Sequence, residues 1–348
     1  MIPIAVLAGD GIGSEVIAEG VRVLRAVESR LEGVRFELQD HPAGAGEYLR
    51  SGNPLPESTM AACRAARATL LGAMGLPDVR WPGGTEMAPQ LDLREQLDLY
   101  AGVRPVRLYH ESHSPLRRYR AGEIDIVMFR ENTEGLFWSR KNTYDRAATE
   151  VCDTLRISRH TSERLFRAAF REARRRRRLV TLIDKSNVLP SMAYFRGIFD
   201  EISAEFPDVR AEKVYVDATA LYLVQCPHRF DVLVTENMFG DILSDLAAGI
   251  VGGMGMAPSG DLGDTNAVFQ PAHGSAPDIA GKGIANPVAT ILSVAMMLEW
   301  FDMLETARGG AMIRSAVERV LAEPSNATRD LGGPLSTREM GDGILEAL

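Results

Sequence analysis

Short apolar runs recur along the chain, separated by longer stretches whose apolar residues return at helical spacing. Ile2 to Leu7, Ala68 to Gly72, Ile124 to Phe129, Val180 to Ile183, Lys213 to Val216 and Val232 to Thr235 read as strands. Amphipathic segments from about Ser14 to Leu31, and from near Ser162 to the arginines at 174–178, read as helices. Strands alternating with helices predict an α/β fold. A chain of 348 residues that is 45% hydrophobic can bury a large core and exceeds the usual size of one compact domain, so two domains are expected. No repeat of fixed period and no low-complexity linker interrupts the pattern.

Charge and cysteine usage narrow the class. A net charge of -8 disfavours generic attraction to nucleic acid while leaving local basic pockets open. The start MIPIAVLAGDGIGSE lacks a basic end and a long apolar stretch, and no run of roughly 18 apolar residues occurs, so a cytoplasmic protein without a membrane partner is expected. Cys63, Cys152 and Cys226 are odd in number and widely spaced, which points to buried small apolar residues rather than disulfides or a zinc site. The arginine run from Arg174 to Arg178 closes an amphipathic helix, where cations complement the C-terminal dipole, and no reading motif for nucleic acid accompanies it.

Several segments carry candidate chemistry. GDGIGSE, Gly9 to Glu15, follows a strand and opens a helix, but it lacks the G-x-G-x-x-G spacing and the acidic residue that a Rossmann loop requires. A turn using glycine's backbone freedom and a ligand contact both remain open for it. Met87, Gln90, Leu91 and Arg94 lie at spacings of three and four, giving a mixed apolar and basic helical face. Arg104 and Arg130 lie at element ends, so three arginines suited to bidentate carboxylate binding flank the place where α/β proteins bind ligands.

Asp241 and Asp245 sit four apart where a helix follows the strand Val232 to Thr235, so their carboxylates share one face and suit Mg2+ or Mn2+. Lys185 and Asn187 follow a buried strand, and a lysine there is a candidate base if its ammonium loses hydration. The stretch from His273 to Pro287 is rich in Gly, Ala and Pro, so its backbone can press against a flat ligand, while Asp278 could accept hydrogen bonds from ribose hydroxyls.

Taken together, these motifs resemble the isocitrate/3-isopropylmalate dehydrogenase family, the metal-dependent β-decarboxylating dehydrogenases. The resemblance rests on LDLREQLDLYAGVRPV, RENTEG at Arg130 to Gly135, DKSNVLP, YVDA with Asp217, ENMFGDILSD, VGGMGMAPS and HGSAPDIAGKGIANP, in family order. It implies that Arg94, Arg104 and Arg130 grip substrate carboxylates, with Gln90, Leu91 and Asn187 also on the substrate side. It implies that Asp217, Asp241 and Asp245 hold Mg2+ or Mn2+, and that Lys185 is the base. Because the family shares each active site across a homodimer, Lys185 and Asp217 would serve the neighbouring subunit's site. His273, Gly274, Ser275, Ala276, Asp278, Ile279 and Asn286 would line the adenosine site, and Asp278 followed by Ile279, where relatives using NADP carry Lys then Tyr, implies NAD.

The fold so implied is the family's own two-domain α/β fold, not a Rossmann fold. One domain would combine residues 1–99 with 252–348 on the cofactor side. The other, 100–251, would carry the dimer contacts and the metal and substrate residues. The reaction implied is oxidation of a 3-carboxy-2-hydroxy acid with hydride transfer to NAD, followed by loss of carbon dioxide.

Two departures stand out. The tyrosine that family members place seven residues after the RENTEG arginine is here Phe137, followed by Trp138, and phenylalanine cannot donate a proton; Tyr144 is a candidate substitute. On the helix face that reads the substituent, leucine-pathway enzymes show Glu at 87 with Leu at 90 and 91, and isocitrate enzymes show Ser at 88 and Asn at 90. This chain has Met87, Ala88, Gln90 and Leu91, which fits neither. A 3-isopropylmalate-like substrate is the leading expectation, with isocitrate, homoisocitrate, tartrate and D-malate as alternatives. A non-catalytic regulatory paralogue, suggested by Phe137, is the alternative of another class.

Overall fold

The computed structural model describes residues 1–144 and 147–348. In chain order the first half runs β1 (Ile2–Gly9), α1 (Gly13–Glu28), β2 (Phe36–Asp40), α2 (Ala45–Ser51), α3 (Glu57–Ala65), β3 (Ala68–Ala73), α4 (Pro89–Gln96), β4 (Ala101–Arg107), β5 (Asp125–Glu131) and α5 (Arg159–Arg174). The second half runs β6 (Leu179–Asp184), α6 (Pro190–Ser203), β7 (Arg210–Tyr215), α7 (Val216–Gln225), β8 (Val232–Thr235), α8 (Asn237–Gly249), β9 (Pro258–Leu262), β10 (Ala267–Pro271), α9 (Val288–Trp300), α10 (Leu304–Leu321) and α11 (Thr337–Ala347).

Among the described residues all ten strands join one sheet in the order β2-β1-β3-β10-β9-β4-β5-β8-β6-β7. Its two flanks are parallel: β1 pairs β2 and β3, and β3 pairs β10, on one side; β5, β8, β6 and β7 pair on the other. The centre is antiparallel, because β9 pairs β10 and β4, and β4 pairs β5. A fold of two parallel flanks fused through antiparallel strands is α/β but not Rossmann, as expected from the sequence.

The apolar cores divide along the same line. One large cluster draws on β1, α1 and the C-terminal helices α9 to α11, including Leu24, Leu292 and Val317. Two others come from the segment between β4 and α8, one on each face of the sheet. The first of these is built on phenylalanines: Phe166 lies 4.6 Å from Phe195 and 5.3 Å from Phe199 between ring centroids. Such stacks add to the stabilisation from buried area alone.

Several local expectations shift. The strand expected at 213–216 is Arg210–Tyr215, with Val216 already helical, and the first helix ends at Glu28 rather than Leu31. Met87 precedes α4, which opens on Pro89. Strands β2, β4, β9 and β10 were not expected: β2 is a largely exposed edge strand, and β4, β9 and β10 carry buried polar or charged residues on one face. Of the cysteines only Cys63 is buried; Cys152 is exposed and Cys226 intermediate, and all are free. In the arginine run, Arg174 pairs with Asp208 at 2.6 Å, and Arg176 with Asp125 at 2.7 Å and Asp231 at 2.8 Å, tying the end of α5 to the starts of β5 and β8. Among the described residues no helix is long and apolar enough to cross a membrane.

Phe166→Ala should leave a cavity at the centre of the phenylalanine cluster and lower stability by about 3–5 kcal/mol. Urea unfolding is the check, with the midpoint falling and the slope unchanged.

Candidate functional site

Strand register places the site. Directly opposed residues of paired strands point to the same face, and residues two apart along a strand do so as well. Gly102 of β4 opposes Asp261 of β9 on one side and Arg130 of β5 on the other. Arg104 lies two residues beyond Gly102, Ser259 two before Asp261, and Gln270 opposes Ser259. One sheet face across β10, β9, β4 and β5 therefore carries Gln270, Ser259, Asp261, Gly102, Arg104 and Arg130. Gly102 is required between the two long side chains: a Cβ there would lie 2.9 Å from Asn132 Oδ1.

Helices α4 and α8 close over this face. Helix α4 brings Gln90, Leu91 and Arg94. Helix α8 starts at Asn237, capped by Glu236, whose carboxylate accepts from the Phe239 backbone N–H at 2.6 Å. Its close approach depends on Gly240, where a Cβ would come within 2.8 Å of Arg130 Cβ. Between sheet and helices lies a cavity of about 240 Å3, lined by Gln90, Leu91, Arg94, Arg104, Arg130, Phe137, Asp241, Ser259, Gln270 and His273, among others.

Three guanidinium groups converge on it, and all are buried. Arg130 donates through Nε and Nη2 to Asn237 Oδ1 at 3.0 and 2.7 Å, and through Nη1 to Asp241. Arg104 lies 3.8 Å from Asp241 and 3.6 Å from Asp245. Arg94 donates through Nε to Asp261 at 2.9 Å. Burial, then repulsion from Arg94, lowers the pKa of Arg104; burial, then repulsion from Arg104 and Arg94, lowers that of Arg130. Cations that already repel one another without bulk water favour an anion placed between them.

Asp241 and Asp245 share one stripe of α8 with side chains 43% and 59% exposed. Burial, and then Asp241, pushes the Asp245 carboxyl up against the opposing pull of Arg104. Two hard, mutually repelling oxygen donors of this kind fit a divalent cation. Asp217 is not with them, and among the described residues no three acidic, histidine or cysteine side chains gather as a metal cage. Instead Lys185 donates to Asp217 at 2.8 Å, and this hydrogen bond holds the Asp217 carboxyl below its usual range. Neither lines the cavity. Asn187 is exposed on the loop beyond Lys185.

The segment from His273 to Asn286 lies at the cavity's other end, held by the GDGIGSE turn. Asp10 accepts from the backbone N–H groups of Ala45, Gly46 and Gly75 at 2.7, 2.8 and 2.8 Å, and Ile12 donates to the Ser275 carbonyl at 2.8 Å. Glu15 accepts from Gly281 and, at 2.9 Å, from Gly283. The turn is thus a bracket for the second loop, and Gly11, at φ +56°, is pressed so close that a Cβ would strike the Ser275 carbonyl.

Along that loop His273 and Gly274 line the cavity, Ser275 is buried, Ala276 has a positive φ, Asp278 is exposed and Ile279 half-buried. Burial lowers the pKa of His273, leaving its imidazole neutral. Asn286 is buried, donating to Asp330 at 3.0 Å and accepting from Val288 N–H at 3.0 Å, so its side chain fastens the loop to α9.

The sequence profile of the family described as Isocitrate/isopropylmalate dehydrogenase matches residues 3–344. The chain belongs to the isocitrate/isopropylmalate dehydrogenase family. It is 44% identical to a 3-isopropylmalate dehydrogenase of Bacillus cereus, over 99% of this chain and 96% of that protein. It is 45% identical to an isocitrate/homoisocitrate dehydrogenase of Thermus thermophilus, over 99% and 98%. The crystal structure of an isocitrate dehydrogenase from Methylococcus capsulatus superposes with a TM-score of 0.90 at 37% identity, covering 100% of this chain and 99% of that one. A β-decarboxylating hydroxy-acid dehydrogenase, an oxidoreductase, is what these relatives support.

Within this family's site, the structure corrects two expectations and adds a residue. Met87 is buried and does not line the cavity, whereas Gln90, Leu91 and Arg94 do. Tyr144 is exposed and also does not line it, whereas Phe137 does, with the Arg130 guanidinium 5.4 Å from its ring centre. The addition is Asp261, a carboxylate 1% exposed directly behind Arg94. Its only sequence signal was an acidic residue in an otherwise small and apolar stretch, APSGDLG.

Glu131, next to Arg130, accepts from Thr133 N–H and Oγ1 and from Glu134 N–H at 2.6, 2.8 and 2.8 Å, ordering the turn that follows. Burial nevertheless pushes its carboxyl from 4.5 up to about 7. The folded state therefore holds this proton more tightly than the unfolded chain, and the group's contribution to stability falls as pH rises from about 4.5 through about 7. Urea midpoints measured across that window should show the fall, and Glu131→Gln should flatten it.

Proposed function

We propose that this chain is an NAD-dependent cytoplasmic enzyme that oxidises and decarboxylates a 3-carboxy-2-hydroxy acid, a substituted malate of the 3-isopropylmalate kind. It would work with Mg2+ or Mn2+ as a homodimer whose subunits share each site. The observation that carries the reading is the buried triplet Arg94, Arg104 and Arg130 around one cavity that Asp241 also lines, with Asp245 beside Arg104. Two carboxylates of a malate fit between the arginines.

In this reading the division of residues 1–99 plus 252–348 from 100–251 is a domain division, supported by the separate cores and by a cavity lined from both groups. The dimer is supported by a stripe on α7. Asp217, Leu221 and Val224 recur at i, i+4 and i+7, and Leu221 and Val224 are 52% and 45% exposed. Ile242, between the two α8 aspartates, is 60% exposed. A second copy covering these apolar groups would carry Lys185 and Asp217 of the partner subunit to the Asp241 side of the cavity.

The metal, held by Asp241, Asp245 and Asp217 of the partner subunit, would stabilise negative charge on the C2 oxygen. NAD, seated along His273 to Ile279 with Asp278 placed for ribose hydroxyls, would take the hydride. Arg94, Arg104 and Arg130 orient the substrate through its carboxylates. Lys185 of the partner subunit takes the proton of the C2 hydroxyl. Phe137 lines the cavity but offers no proton for C3, so the last step falls to water.

NADH formation and carbon dioxide release from substituted malates test the reaction, and silence on every one from folded dimer would favour a regulatory role. Co-expressing Lys185→Met and Asp241→Asn chains tests the sharing. Each variant alone should be inactive, while the mixture should recover about a quarter of wild-type activity, because each heterodimer rebuilds one intact site. No recovery would place Lys185 in its own chain's site. Phe137→Tyr should raise the ratio of carbon dioxide to NADH towards one, with a rate gain of roughly 10-fold or more.

A further inference from the structure

We propose that Asp261 makes this site selective for malates whose C3 substituent carries no charge, acting as a permanent internal counter-charge to the three arginines and as the positioning group for Arg94. The proposal rests on the substituted-malate reading above and names the substrate class within it.

Asp261 is a built feature of the site. Its Oδ2 accepts from Arg94 Nε at 2.9 Å and from Gln270 Nε2 at 2.7 Å, and its Oδ1 accepts from Asn132 Nδ2 at 2.7 Å. Burial alone would push the carboxyl up, but Arg94 and Asn132, with Arg104 beyond, outweigh it and hold Asp261 below its ordinary range. The carboxylate is therefore ionised, and its hydrogen bonds take Arg94 by Nε, leaving the terminal nitrogens for a ligand in the cavity.

The charge count follows. Asp241 also touches the arginines, but its half-exposed carboxylate can turn away to a cation. Asp261 cannot: its side chain is 2% exposed and fastened from three sides. Three buried guanidinium groups with one fixed carboxylate present two net positive charges, matching the two carboxylates of the malate core. A third carboxylate on the substituent finds no further arginine or lysine on this chain's wall of the cavity. Among the described residues lining the cavity, the only other basic side chain is His273, whose charged form burial disfavours, and the wall beside Arg94 is Gln90 and Leu91. Without bulk water an unmatched charge is strongly disfavoured.

The wild-type holoenzyme, assayed with NAD and Mn2+, decides first. A malate with an alkyl, hydroxyl or hydrogen substituent should exceed isocitrate and homoisocitrate in kcat/KM by on the order of tenfold or more. Asp261→Asn, which keeps the shape and removes the charge, should narrow that ratio about tenfold. The change should appear chiefly as a lower KM for the tricarboxylates, whereas general loosening would lower kcat for every substrate alike.

Thermal shifts with each carboxylate give a readout independent of turnover, in which dicarboxylates should raise the wild-type Tm more than tricarboxylates. Preference of the wild type for a tricarboxylate, or an unchanged ratio in Asp261→Asn, would overturn the proposal even if NADH forms. Thermal selectivity without NADH would uphold it while sinking the reaction reading. If the variant does not fold, the wild-type comparison decides.

Discussion

Three arginines buried against one sheet face, with no bulk water to disperse their charge, set the terms on which the rest of this molecule is built. Like charges so placed are tolerable only where carboxylates and amides answer them at hydrogen-bond distance. Asn237 and Asp241 answer Arg130, Ser244 and the α8 aspartates answer Arg104, and Asp261 answers Arg94. All but Asp261 arrive on α8, and Asp261 arrives on β9, so the start of α8 and the place of β9 beside β4 follow as structural requirements of the charge cluster.

The antiparallel centre of the sheet is how those requirements are met. Parallel strands linked by helices carry their ligands beyond the strand ends. Here β9, β4 and β5 run antiparallel side by side, so the site lies across a sheet face as well as at its edge. Gly102 and Gly240 are the two places where this crowding leaves no room for a side chain. The opposite face of the same strands holds a larger cavity of about 450 Å3, where three of the four lining arginines pair with carboxylates, Arg107 with Glu318, Arg176 with Asp125 and Asp231, and Arg314 with Glu299. Size alone does not locate the chemistry; the convergence of three buried guanidinium groups on one cavity does.

The two loops at the His273 end of the cavity are arranged differently. GDGIGSE binds nothing through its own side chains except backbone: Asp10 and Glu15 between them accept from five N–H groups of other segments. Turns that resemble ligand loops can serve as brackets for the loop that faces the ligand. On the other side, an internal carboxylate lies behind Arg94 without lining the cavity itself.

How much of this was legible in the sequence depended on which groups a segment buries. Strands buried on both faces, such as Val180 to Ile183 and Val232 to Thr235, were readable because burial demands apolar residues at every position. The motif residues Arg94, Arg104, Arg130, Asp241 and Asp245 were readable because their residue types and spacing are chemically restrictive. Strands β4, β9 and β10 were not readable, since one of their faces is the site and carries Arg104, Ser259, Asp261 and Gln270 where apolar residues would otherwise stand. Apolar periodicity disappears where a sheet buries charge. Only the tertiary structure set Asp261 against Arg94, turned Met87 away from the cavity and left Asp217 exposed on α7, bonded to Lys185 and away from the cavity of its own chain. These relations depend on register between strands and on helix approach, distances between residues far apart in the chain, and local spacing carries no information about either.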